Sequence, residues 1–92
     1  MAFLSLDDIR RTVSQNAFIA GLVYQKHGHV RSMSISKDGR LLEAHVIGSA
    51  PAPYRLSIRL KERSGGGAVI AGTCSCPVGF NCKHVAAALF AA

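Results

Sequence analysis

All three cysteines of this 92-residue chain fall within nine positions, and one of its four histidines follows two residues after the last of them, in the stretch TCSCPVGFNCKHVAAALF at 73–90. Cys74 and Cys76 are two apart, so on an extended segment their side chains project to the same side. Cys82 and His84 repeat that spacing. Residues two apart in a regular helix diverge by about 200°, which puts Cys82 just ahead of the following helix and His84 in its first turn. The Pro77-Val78-Gly79 bend then folds the chain back, and the four side chains converge on one point.

Three thiolates and an imidazole form a tetrahedral set that suits zinc, at about 2.3 Å to sulfur and about 2.0 to 2.1 Å to nitrogen. With Cys74, Cys76, Cys82 and His84 filling every position, no site is left for an activated water, so a single structural Zn2+ is expected rather than a catalytic one. Structural zinc in small peptides is worth about 10 to 16 kcal/mol, more than the net stability of many domains, so zinc is expected to decide whether the C-terminal half folds. An iron–sulfur cluster is the rival occupant, although it generally takes four thiolates. The plain alternative is three small buried cysteines beside an ordinary histidine. A redox C-x-x-C pair is absent, and nothing supplies the base and orienting group of a cysteine nucleophile, so an enzyme is not expected.

A chain of this length buries only about 60 to 70% of its unfolded surface, which makes a metal staple useful. Eleven Lys and Arg against five Asp and Glu give a net charge of +6, which favours an acidic partner such as nucleic acid, DNA ahead of RNA, and equally serves solubility. The acids and arginines of MAFLSLDDIRR break the apolar stretch of a signal peptide, and no segment reaches the roughly 18 apolar residues of a membrane span. A cytoplasmic protein with neither a membrane nor a small-molecule partner is expected, its thiols kept reduced.

The elements read as an α+β domain over 1–92. Leu6, Ile9 and Val13 recur at helical spacing behind Ser5, giving a short N-terminal helix within 1–16 that ends near Gln15. From Ala17 the pattern reads as β, and an antiparallel meander of four to five strands is expected over 17–73: FIAGLVYQKHG, HVRSMSIS, RLLEAHVIG, YRLSIRLK and AVIAGTCSC. Tyr24 and Tyr54 are then core aromatics at strand positions. Turn signals stand at His27-Gly28 and at Lys37-Asp38-Gly39-Arg40. The finger and a closing helix occupy 74–92. In YRLSIRLK, Tyr54, Leu56, Ile58 and Leu60 point one way, while Arg55, Ser57, Arg59 and Lys61 point the other.

The run Cys74-Ser-Cys76-Pro-Val-Gly-Phe-Asn-Cys82-Lys-His84 resembles the C-x-C-x(n)-C-x-H signature of the SWIM zinc finger, and VAAALF resembles the helix that signature opens. More weakly, 17–90 resembles the N-terminal region of bacterial Swi/Snf-type helicases that carry such a finger. The resemblance implies an accessory, helicase-associated module that contacts DNA or proteins. No G-x-x-x-x-G-K-[ST] occurs, so an ATPase activity does not carry over.

Arg55, Arg59 and Lys61, with Arg31, Arg40 and Arg63 as possible neighbours, are the expected phosphate-contacting cations, and Lys83 either joins them or offsets the charge of the metal site. The alternative is a protein-docking module whose C-terminal helix exposes Leu89 or Phe90. Phe80 is read as a lid over the metal or as an exposed stacking surface, and Asn81 as a cap of the helix. His27, His29 and His45 are expected at the surface.

Overall fold

A computed structural model describes residues 4–92. The part of the expected N-terminal helix at 1–3 lies outside the described residues. Helix α1 (Leu6–Thr12) starts in a capping box. The Ser5 hydroxyl accepts from the Asp8 N–H at 3.2 Å, and the Asp8 carboxylate accepts from the Ser5 N–H at 3.0 Å. Burial opposes ionisation of Asp8, but hydrogen bonds from Ser5 and the Ala68 N–H, with the charge of Arg11, hold its carboxyl below the usual value. Arg11 pairs directly with it. The chain turns extended at Val13, and Ser14 caps α2 (Gln15–Lys26) by accepting from the Ala17 N–H at 3.1 Å.

Helix α2 corrects two expectations. The first helix ends at Thr12 rather than near Gln15, and FIAGLVYQK is helical rather than the first strand of the meander. The β-branched Ile19 and Val23, which make this run look extended, lie on the exposed side of the helix, while Phe18 and Gly21 are buried with Ala17 and Leu22 against the core. The apolar inward positions thus follow a 3.6-residue period. Tyr24 is accordingly a helix residue, and His27-Gly28 ends a helix, with Gly28 at φ +74°, instead of turning a hairpin.

Four strands follow: β1 (Val30–Ile35), β2 (Leu41–Val46), β3 (Tyr54–Glu62) and β4 (Ala68–Cys74). They form an antiparallel meander in the order β1-β2-β3-β4. Asp38-Gly39 turns the first hairpin as expected, with Gly39 at φ +73°. Register sets the inner face: Leu42 opposes Ile58, Ala44 opposes Leu56, and Leu60 opposes Ile70, all buried. Arg55, Arg59 and Lys61 point outward and are exposed, as the alternation requires.

Helix α3 (Lys83–Ala91) lies between this inner face and α2. It is buried on nearly every side, from His84 through Leu89, which is why it is apolar all round. The alanines and two glycines permit the close approach. A Cβ on Gly72 of β4 would sit 2.6 Å from Val85 Cγ1, and one on Gly21 of α2 would sit 2.6 Å from Ala86 Cβ. Leu89 is 2% exposed, so docking through an exposed Leu89 is overturned, while Phe90 is half-buried and packs edge-on against Phe18 at 5.0 Å.

Gly21→Ala should therefore destabilise the protein. Helix propensity favours alanine by about 0.5 to 1 kcal/mol, but forcing a methyl into Ala86 costs about 1 to 3 kcal/mol, so the melting temperature should fall. A rise in melting temperature would mean that α2 and α3 pack less tightly than described.

Candidate metal centre

The end of β4 and the start of α3 supply the four candidate donors. Cys74 is the last residue of β4, Cys76 sits in the bend beyond it, Cys82 is the N-cap residue of α3, and His84 lies in the first turn. Cys82 and His84 thus stand on the two sides of the helix start, as their spacing implies. All four side chains are buried, and their donor atoms lie within 4.8 Å of one another. His84 Nδ1 faces the sulfurs, 3.5 Å from Cys82 Sγ and 3.8 Å from Cys74 Sγ. A tetrahedron with bonds of about 2.3 Å to sulfur and about 2.0 to 2.1 Å to nitrogen has N···S edges of about 3.5 Å. The cluster therefore has the size and chemistry to hold one zinc ion.

The sequence between the two donor pairs is held by backbone geometry. Gly79 and Asn81 both take left-handed conformations, φ +81° and +45°, which the side chain of Asn tolerates better than most. Residues 79–81 then run as a short antiparallel extension of β4, with Phe80 opposite Thr73. The Cys74 N–H donates to the Gly79 carbonyl at 2.9 Å, and the Asn81 N–H donates to the Gly72 carbonyl at 2.8 Å. The Asn81 side-chain oxygen accepts from the Gly72 N–H, also at 2.8 Å. Asn81 is thus a clamp on β4 and not the helix cap that its position promises; the N-cap residue is Cys82, which makes no side-chain capping bond. On the other side, the Ser75 hydroxyl accepts from the Arg55 N–H at 2.9 Å and fastens the loop to β3.

Burial and nearby donors shift the four donor groups in different directions. Burial pushes the Cys74 thiol up to about 12 and raises that of Cys82 as well. At Cys76 burial acts in the same direction but is outweighed by donors, led by the Gly79 N–H, and its thiol is lowered. Burial, with the nearby Lys83 and His29, lowers His84, so the imidazole is neutral and available as a donor near neutral pH. Its Nε2 is buried without a hydrogen-bond partner among the described residues. The rings of Tyr54 and Tyr24 flank the imidazole at 4.7 and 5.6 Å. Gly48 admits it from the β2–β3 loop, since a Cβ there would stand 2.7 Å from Nε2.

The other residues singled out in the sequence separate into two places. Arg55, Arg59 and Lys61 stand together on the outer face of β3. Lys83 is in the helical layer on the opposite face, its Nζ 5.2 Å above the Tyr24 ring, so it does not extend the ladder. Phe80 is 55% exposed, which removes the lid reading. His27 and His45 are exposed, and His45 meets the Ser32 hydroxyl, whereas His29 is partly buried with Nδ1 2.9 Å from the Ile47 carbonyl oxygen. The clamp at Asn81, the fastening at Ser75 and the gap at Gly48 were missed; an Asn two residues after Gly79 was the one available signal.

A closed, buried set of three thiols and one imidazole defines the zinc-finger class of site. Comparison with known families agrees: the SWIM zinc finger family model matches residues 60–92, from the end of β3 through α3. SWIM fingers are in general non-catalytic modules. No curated protein and no solved structure matches the chain.

Two outcomes follow from this geometry. Zinc uptake by the thiols should release protons near neutral pH, so calorimetric binding heats should change with the ionisation enthalpy of the buffer; heats independent of buffer would contradict protonated thiols in the metal-free chain. Asn81→Ala should leave the Gly72 N–H unpaired, cost about 1 to 3 kcal/mol, and weaken zinc binding in a chelator competition without removing a donor. Unchanged stability and affinity would show that the clamp is dispensable.

Proposed function

We propose that residues 1–92 act as one zinc-stabilised, non-catalytic domain that contacts nucleic acid, DNA ahead of RNA, as an accessory module of a larger cytoplasmic helicase-type protein. In this reading Cys74, Cys76, Cys82 and His84 are the ligands of a single structural zinc ion. The nucleic acid is met by Arg55, Arg59 and Lys61, with Lys83 outside that face and a secondary contact at most. Any ATPase belongs to another part of the machine.

One observation carries the nucleic-acid reading. The helices cover one face of the sheet and leave the other bare, and on that bare face three cations follow one another along β3. Glu43 is the one acid among the outward strand positions of the described residues. Cations aligned on an exposed strand face in excess over the single acid, Glu43, which stands opposite Ser57, are what phosphate contacts require. A protein partner is the second reading. It is favoured by Ile19 and Val23, 53% and 48% exposed on α2.

Binding of the zinc-loaded protein to DNA should weaken linearly in log–log form with salt, and Arg55→Glu with Arg59→Glu should weaken it further and flatten the slope, by about 0.9 for each lost duplex phosphate contact. Binding indifferent to both salt and charge reversal would remove this reading and leave protein docking. Cys76→Ser should lower zinc affinity and melt the C-terminal half first. Freshly purified reduced protein with less than about half an equivalent of zinc would count against the metal assignment.

A further inference from the structure

The bare face of the sheet carries more than the ladder. At one end the β1–β2 turn, β3 and β4 line an open groove of about 610 Å³, with Arg40, Leu41, Arg59, Lys61, Val69 and Ala71 along it. That volume falls within the range of small-ligand clefts, about 300 to 1,000 Å³. Its floor is apolar and its cationic wall comes from three side chains. Asp38 is the acid at its edge, and its carboxylate is already engaged, accepting from the Ser36 hydroxyl at 2.6 Å and the Arg40 N–H at 3.0 Å.

Phe80 borders the same face. The hydrogen bonds from Cys74 N–H to Gly79 and from Asn81 N–H to Gly72 make Thr73 and Phe80 a directly opposed pair without hydrogen bonds between them. Side chains of such a pair lie close together on the same face. Thr73 in turn opposes Ser57 of β3, so the row Ser57-Thr73-Phe80 runs across the outer surface between the levels of Arg55 and Arg59. Two strand spacings, about 10 Å, separate Phe80 from β3. A large ring left exposed on the sheet face that carries the three cations has no role in the core.

We infer that this face binds single-stranded nucleic acid, with phosphates in the Arg40, Arg59 and Lys61 groove and an unpaired base stacked on Phe80. The inference rests on the nucleic-acid reading above and narrows it. Cations that track a backbone beside an exposed aromatic ring are the recognition chemistry of single strands, because every unpaired base offers a π-face that a duplex keeps in its stack. Duplex DNA would meet the cations and leave Phe80 unused.

The test uses the full zinc-loaded chain and fluorescence anisotropy with labelled oligothymidine and oligouridine of about 12 nucleotides, a length within the span of small single-strand sites, and a duplex of equal length. Single strands should bind more tightly than the duplex at the same salt, and the two single-strand arms tell DNA from RNA. Phe80→Ala should weaken single-strand binding about five-fold or more and leave duplex binding unchanged, while Phe80→Tyr retains it. Arg40→Ala should lower the salt slope by about 0.7. The chain contains no tryptophan, so Phe80→Trp installs a lone indole whose fluorescence should be quenched by the oligonucleotide. Zinc content and melting temperature of each variant separate lost folding from lost binding. Single-strand binding that leaves the indole fluorescence unmoved, or a preference for duplex, overturns the stacking site while the nucleic-acid reading survives. Absence of binding to every oligonucleotide overturns both.

Discussion

The fold depends on bringing the end of a strand and the start of a helix into the volume of one metal-ligand shell. Four donor atoms within 4.8 Å draw on both elements, Cys74 from β4 and His84 from α3, with Cys76 and Cys82 on the loop between. Without a cation the burial that raises the Cys74 and Cys82 thiols keeps them protonated, and the shell is only a small apolar cluster. With zinc the same burial strengthens each metal–thiolate attraction, because little water competes. Gly72, Asn81 and Ser75 give that loop its shape through backbone bonds, so metal affinity and the end of the sheet are coupled.

Everything on the inner side follows from where α3 is thereby held. Its alanines let the sheet approach from one side at Gly72 and α2 approach from the other at Gly21, and the helix becomes the centre of the core. Leu89 is thereby buried in the core, and Phe90 packs against Phe18 at the end of the helix. The outer face of the sheet carries no such layer. Its cationic positions point outward, and the extension at 79–81 that shapes the metal loop also carries Phe80 to that face. The same short segment thus joins the proposed metal site to the proposed binding surface.

Much of this was legible in the sequence because it rests on strict local periods. The two-residue spacing of the donors, the alternation along β3 and the Asp38-Gly39 turn each follow from local backbone geometry. The run at 15–26 was not, because Ile19, Val23 and Tyr24 carry strong β preference while the feature that makes it a helix is tertiary: Gly21 and Phe18 fit against α3. Asn81 reads as a helix cap by position, yet its left-handed backbone turns its side chain onto Gly72. Which face Phe80 occupies depends on a pairing with Thr73 that no local pattern encodes.

X-ray absorption at the zinc edge, on protein purified under reducing conditions, tests the central claim most directly. The expected result is one zinc ion surrounded by three sulfurs at about 2.3 Å and one nitrogen at about 2.0 to 2.1 Å, with no water in the shell. A shell with an oxygen ligand or fewer than three sulfurs, or iron in place of zinc, would contradict the closed structural site on which α3, the sheet and the outer surface all depend.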